Sequence, residues 1–249
     1  MDTRTAPRAA VEWRGGWARS RTTPRAVVLV LHGGRSEGLG RCPRWNLARL
    51  RMQPFTLSLV RDLRGADVAV GEVRYRVRGW NGARADAAVD AAAALRQVAE
   101  RWGPVPVVLV GHSMGGRASL RAAEDPAVTG VVALAPWCAP GEPCAQFAGK
   151  RLVTLHDVSD SVTAPDATRE FGAAARGIGA AVAGFAVHGS NHAMLGRPRD
   201  WQRTTVELVR GLLELGPLPA EVSAALALRG ADPGGLALEL PRAQARRRA

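Results

Sequence analysis

Short apolar, β-branched runs alternate along the chain with segments whose apolar residues recur every three or four positions. The first pattern buries both faces of a strand and the second buries one face of a helix. Their alternation predicts an α/β fold with a largely parallel central sheet and helices on both faces. Strands are predicted at Ala26 to His32, Val68 to Tyr75, Val105 to Val110, Val128 to Leu134, Leu152 to His156 and Ala180 to Val187. After the first of them, Arg35 to Gln53 reads as a long loop, and Pro54 suits the first turn of a helix that buries Phe55, Leu59 and Leu63. An alanine-rich helix from Gly82 to Trp102 is expected to bury Val89, Leu95 and Val98, with Asp86 and Asp90 early and Arg96 and Arg101 late along its dipole. Met114 to Glu124, Ala167 to Ala175 and Trp201 to Leu215 read as helices, the last with Val206, Val209 and Leu213 on its apolar side.

Residues 26–216 therefore form one α/β domain between a charged lead-in at 1–25 and a Pro/Ala/Arg-rich tail at 217–249. The tail is expected to be partly disordered, with a helical turn around Glu221 to Leu228. A chain of 249 residues with 47% hydrophobic content can bury a full single core. No apolar run reaches bilayer length, and Met1 to Arg25 lacks the continuous apolar segment of a secretory signal, so the expectation is a cytoplasmic protein without a membrane partner. The net charge of +12 comes almost wholly from arginine, Lys150 being the only lysine. These arginines are scattered apart from a cluster at Arg246, Arg247 and Arg248, which reads as a solvated basic surface and not as a specific nucleic-acid site. Cys42, Cys138 and Cys144 are expected as free thiols, and no Cys/His spacing suggests a metal. No cofactor is implied.

Gly111-His112-Ser113-Met114-Gly115-Gly116 lies directly behind an apolar strand and ahead of a helix. A serine hydroxyl becomes a useful nucleophile when a sharp strand-to-helix turn exposes it beside a base, and small flanking residues permit that turn. Ser113 is the candidate nucleophile. An oxyanion hole needs two backbone N–H groups aimed at the attacked carbonyl. One is expected from Met114, at the start of its helix, and the other from the His32-Gly33-Gly34-Arg35 loop, Gly34 first and Arg35 second.

With this motif, strand order and loop placement, 26–215 resembles the α/β-hydrolase superfamily, in the style of small bacterial esterase-like and dienelactone-hydrolase-like proteins. The short connection between Leu134 and Leu152 has room for one short helix at most, so no sizeable cap domain is expected. The resemblance implies that functional groups sit on loops at the carboxyl ends of the strands. Within Leu155 to Pro165 it implies Asp160 as the acid, with Asp157 the alternative and Asp166 capping the next helix. Within His188 to Met194 it implies His192 as the base. His188 ends the strand itself, and His32 and His112 belong to the turns framing the oxyanion site.

The expected activity is a serine hydrolase that cleaves a small carboxylic ester or thioester through an acyl-enzyme on Ser113, with His192 and Asp160 completing the triad. The same triad used for acyl transfer, or a non-catalytic binding protein on this fold, are the alternatives. Trp80 and Trp137 either line an acyl pocket or pack in the core. Arg35, with Arg41 and Arg78, either favours an anionic substrate or is simply solvated.

Overall fold

The computed structural model describes residues 10–43 and 45–242. The arginine cluster at 246–248 and the start of the lead-in lie outside the described residues. Eight strands form one sheet in the order β1-β3-β2-β4-β5-β6-β7-β8. They are β1 (Ala10–Trp13), β2 (Ala26–Leu31), β3 (Val68–Arg74), β4 (Val107–His112), β5 (Val128–Leu134), β6 (Arg151–Asp157), β7 (Ala181–Val187) and β8 (Leu238–Glu239). All pairs are parallel except β1 on β3. No helix among the described residues is long and apolar enough to cross a membrane.

Strand periodicity decides where each side chain goes. In β2, Val27, Leu29 and Leu31 enter one core, shared with α2 (Asp86–Trp102), α3 (Met114–Ala122) and α4 (Pro165–Gly177). Ala26, Val28 and Val30 enter the other, beneath α1 (Leu47–Asp62), α5 (Pro198–Leu212) and α6 (Ala220–Ala227). A strand buried on both faces has no polar positions, which is why the central strands read as continuous apolar runs. The chain leaves β2 toward β3 on one side and returns to β4 on the other. The loops after β2 and β4 thus border the crevice where such sheets bind ligands.

Four expectations change. First, α1 begins at Leu47, two turns before Pro54, because the Asn46 side chain accepts the Ala48 N–H at 2.8 Å and caps the helix. Pro54 sits inside that helix, and the carbonyl it leaves unpaired belongs to Leu50, which is 46% exposed and open to water. Second, Val89 faces solvent, while Ala87, Ala91, Ala94, Leu95 and Val98 form the buried stripe of α2. Asp86 and Asp90 turn inward instead and are held by Arg76, Arg84 and Asn81. Third, Asp166 lies in the first turn of α4, paired with Arg169 at 2.7 Å, and the N-cap position belongs to Ala164. Fourth, the lead-in supplies edge strand β1, whose Trp13 ring lies 4.5 Å from that of Trp102.

The tail to Arg242 is likewise integrated into the fold: α6 buries Val222 and Leu226, and Leu236 and Leu240 join the cores beside β8. Arg176 of α4 fastens it, donating to the Asp232, Gly234 and Val182 carbonyls from a position only 1% exposed. Burial lowers the proton affinity of this guanidinium, so its three carbonyl bonds carry the cost of keeping the charge inside. Arg176→Met would strand the buried Val182 carbonyl and cut the two bonds to the Asp232 and Gly234 carbonyls, and we expect it to lower stability by about 2–4 kcal/mol. Urea unfolding of the full chain checks this, and an unchanged midpoint would contradict it.

Candidate active site

Ser113 stands between β4 and α3 with φ 56° and ψ −119°, a conformation that costs a non-glycine residue on the order of 1–3 kcal/mol. The surroundings enforce it. A Cβ on Gly111 would lie 2.3 Å from the Gly115 carbonyl oxygen, and one on Gly115 would lie 2.4 Å from that of Leu31. The end of β4 lies so close to the start of α3, and the start of α3 so close to the end of β2, that both positions must be glycine. Ser113 N–H donates to Leu134 O at 3.0 Å, and the Ser113 carbonyl accepts from Trp137 N at 3.1 Å, tying the turn to β5 and its following loop.

The loops after β6 and β7 bring the acid and the imidazole to this hydroxyl. His192 Nε2 lies 3.0 Å from Ser113 Oγ, and His192 Nδ1 lies 2.7 Å from Asp160 Oδ2. The order is hydroxyl, imidazole, carboxylate. Asp160 Oδ1 accepts from the Val162 and Thr163 amides at 2.8 and 3.1 Å, and Oδ2 also accepts from Thr163 Oγ1 at 2.9 Å. Burial alone would raise the Asp160 proton affinity, but the bond from His192 and those from the two amides outweigh it and bring its pKa down to about 2. It is therefore an anion throughout the physiological range.

Asp157 does different work. Its Oδ1 accepts from Ser159, and its Oδ2 accepts from Ser190 N at 2.8 Å, so it clamps the His192 loop to β6 without touching the imidazole. Trp201 Nε1 donates to Ser190 Oγ at 3.0 Å, and Arg51 of α1 donates to the Ala193 and Met194 carbonyls. His112 Nε2 donates to His192 O at 2.9 Å. His192 is thus gripped from β4, β6, α1 and α5. His32 donates from Nδ1 to Gly33 O at 2.6 Å, and His188, half exposed, pairs with Glu239 at 3.4 Å away from the site.

The two expected oxyanion donors lie side by side: a Cβ on Gly34 would be 2.3 Å from Met114 Cε. Met114 is the first residue of α3, and neither its amide nor that of Gly34 has a backbone acceptor among the described residues. The Arg35 amide is bonded to Arg78 O at 3.2 Å, which takes it out of contention. Residues 35–42 are stitched to 76–81 along their length, with bridges Arg35 to Gly79 and Arg41 to Val77, so this strap is pinned beside the site.

The tryptophans divide. Trp80 is 2% exposed and belongs to the core, whereas Trp137 is half-buried on the loop whose amide bonds Ser113. Between them lies the Arg117 guanidinium, 4.1 Å from the Trp80 ring centre and 4.5 Å from that of Trp137. Glu142 neutralises it, accepting from Arg117 Nε at 2.6 Å and also from Arg121.

The profile of the family described as serine aminopeptidase, S33, matches residues 22–163, from β2 through Asp160. The chain belongs to the serine aminopeptidase S33 family. Among solved structures, this S33-family chain is similar to a protein of unknown function from Agrobacterium tumefaciens described as a candidate α/β hydrolase. The two share 15% identity at a TM-score of 0.64, over 86% of this chain and 96% of that one. It is also similar to Est1E from Butyrivibrio proteoclasticus, solved with ferulic acid, at 13% identity and TM-score 0.56 over 83% and 96% of the two chains. An α/β serine hydrolase homologue from Coxiella burnetii gives 17% identity and TM-score 0.55 over 82% and 98%. No curated protein matches. The S33-family chain therefore has the α/β-hydrolase fold without a large cap, and its Ser113 and Asp160 lie inside the matched region while His192 lies beyond it.

One residue at the site was not singled out from the sequence. His156, the penultimate residue of β6, places Nε2 3.0 Å from Asp160 Oδ2. The signal available was its spacing of four from Asp160 across the end of a strand.

Proposed function

We propose that this protein is a serine hydrolase of small, soluble carboxylic esters or thioesters, with Ser113 as nucleophile, His192 as general base and Asp160 as the acid that orients it. The observation that carries the reading is the unbroken chain of partners, 3.0 Å from Ser113 Oγ to His192 Nε2 and 2.7 Å from His192 Nδ1 to Asp160 Oδ2. Ser113 Oγ attacks the acyl carbon while its proton passes to His192 Nε2. The carbonyl oxygen becomes the oxyanion, received by the Gly34 and Met114 amides. Collapse expels the alcohol or thiol with the proton from His192 and leaves the acyl-enzyme. Water, deprotonated by the same imidazole, then attacks that ester and frees the acid and Ser113.

An aminopeptidase needs an unpaired carboxylate for the substrate's ammonium group. The buried carboxylates of the surrounding loops are committed instead: Asp160 to five donors, Asp157 to Ser159 and Ser190, and Glu142 to two arginines. The site therefore favours an ester over a peptide amine. The short loop after β5 carries no large cap, which suits soluble substrates over oil interfaces.

A fluorophosphonate probe tests the reading. Parent protein is expected to take one label, at Ser113 by peptide mapping, and Ser113→Ala none. Product analysis with added alcohols or amines should then return free acid as the main product. Absence of labelling together with absence of ester cleavage would replace the enzyme by a binding protein, and dominant acyl transfer to the acceptors would replace the hydrolase by an acyltransferase.

A further inference from the structure

The triad gives no work to His156, yet its ring is 4% exposed and fully engaged. Nε2 lies 3.0 Å from Asp160 Oδ2, and Nδ1 lies 2.8 Å from Thr168 Oγ1 on α4. Asp160 Oδ2 therefore sits between two imidazoles, His192 at 2.7 Å and His156 at 3.0 Å. A carboxylate only accepts, so each ring must offer it an N–H. His156 then carries its proton on Nε2, and its Nδ1 is an acceptor that takes the Thr168 hydroxyl proton. The carboxylate sets the tautomer, and the threonine hydroxyl holds the ring from its other side. Burial holds the ring neutral, lowering its proton affinity more than Asp160 raises it.

We propose that His156 is a positioning residue, a neutral donor oriented by the Thr168 hydroxyl, that pins the Asp160 carboxylate and draws off part of its charge, so that Asp160 stabilises the His192 imidazolium less than an unshared carboxylate would. The inference rests on the triad reading above. Its chemical consequence is a base that sheds its proton, and is ready to act, at lower pH. Every hydrogen bond donated to a carboxylate stabilises its charge and weakens its pull on other protons. Removing one donor restores that pull.

The groups that face the two rings are few. His156 meets Asp160 and Thr163 from its own loop, Thr168 from α4, and beyond Thr168 the Cys138 thiol, which burial pushes up to about 12. His192 meets Asp160, Thr163, Ser113 and the His112 ring at 5.0 Å, with the Arg51 guanidinium on the neighbouring carbonyls. Of these only Asp160, Thr163 and Thr168 bond His156, so a change there leaves the Ser113, His112 and Arg51 contacts of the His192 loop in place.

The experiment compares the parent with His156→Leu, His156→Asn, His156→Gln and Thr168→Val. A glutamine amide nitrogen reaches the place of Nε2, whereas an asparagine amide reaches that of Nδ1. Two readouts are taken: kcat and KM for p-nitrophenyl acetate against pH, and NMR titration of the His192 ring, which needs no turnover. His156→Leu and His156→Asn should lower kcat about tenfold with KM little changed. In both, the acidic limb of the rate profile and the His192 titration midpoint should move to higher pH by about half a unit to one unit. His156→Gln should restore the limb and most of the rate, and Thr168→Val should move it the same way by less. Equal rate losses with a fixed limb and fixed midpoint, or a glutamine variant no better than asparagine, would overturn the proposal and leave His156 a packing residue. Should the leucine variant fail to fold, the glutamine and threonine variants decide. Should the parent cleave no ester, the esterase reading fails by itself, while the His192 titration still judges the coupling.

Discussion

Ser113→Ala is expected to lower ester turnover by about 10⁴-fold or more while leaving the protein as stable as its parent. The size follows from what the hydroxyl supplies. Without it no acyl-enzyme forms, and what remains is the Gly34 and Met114 oxyanion donors acting on direct attack by water. A 10⁴-fold loss corresponds to about 5.5 kcal/mol of transition-state stabilisation, far beyond what a small shift of neighbours would produce. The neutral effect on stability follows from the contacts: among the described residues the Ser113 side chain bonds only His192 Nε2, which is part of a half-buried ring and can turn to water, while the strained turn is held by backbone bonds that alanine keeps. kcat/KM for a short activated ester, measured beside the thermal midpoint of both proteins, checks the two halves together. Equal rates would remove Ser113 from the chemistry. A rate loss accompanied by a large drop in midpoint would say that the turn, and not the nucleophile, had been broken.

Much of this arrangement is legible in the amino-acid order because it rests on local rules. The central strands are buried on both faces, so β5 can be read at Val128–Leu134 without knowing its neighbours. Ser113 is legible since the glycines around it answer a steric demand of the turn, whereas Asp160 and His192 are implied by the resemblance of their loops to the α/β-hydrolase pattern, behind strands that are themselves legible. What could not be read depends on partners distant in sequence. The start of α1 turned on a single asparagine cap outweighing the usual meaning of proline. Val89 was misplaced because two buried aspartates, compensated by Arg76 and Arg84, rotated the inward face of α2 away from it. The tail is rich in Pro, Ala, Gly and Arg by composition, and its place in the fold rests on contacts distant in sequence, the Arg176 bonds to the Asp232 and Gly234 carbonyls among them. His156 is not legible for a subtler reason: a histidine at a strand end is unremarkable until the fold sets one ring nitrogen on the Asp160 carboxylate and the other on a threonine of the next helix.

Lowering the pH from about 6.5 toward 4 is expected to unfold the protein, with stability falling by about 2.7 kcal/mol per pH unit. Two buried imidazoles account for that slope, and His156, whose proton affinity burial also lowers, adds a loss of the same sign. Burial, the larger effect, drives His32 down to about 4 in spite of its bond to Gly33 O. Burial, followed by the nearby His192, drives His112 down to about 3. In the unfolded chain each takes up its proton near 6.5, the ordinary histidine value. Between that pH and the folded values the unfolded state binds about two more protons than the folded one, so stability rises with pH and is lost as pH falls, at about 1.4 kcal/mol per unit for each ring. Two units of acid amount to about 5 kcal/mol, the scale of a whole domain's stability. Asp160 adds a loss of the same sign in a lower window, from the ordinary carboxylate range down to about 2. Urea unfolding at pH 7, 6, 5 and 4.5 measures the slope, and a flat line would contradict the burial of both rings as neutral groups. His112→Gln isolates one of them: it keeps a donor for the His192 carbonyl but cannot titrate, so the slope should fall by about 1.4 kcal/mol per unit. The same contact links fold and site. A second proton on His112 would sit on Nδ1, which has no partner among the described residues and faces Gly33 in the oxyanion loop. Acid should therefore loosen the turn beneath His192 and the floor of the oxyanion site in one step, and activity should disappear in the pH window where the fold does.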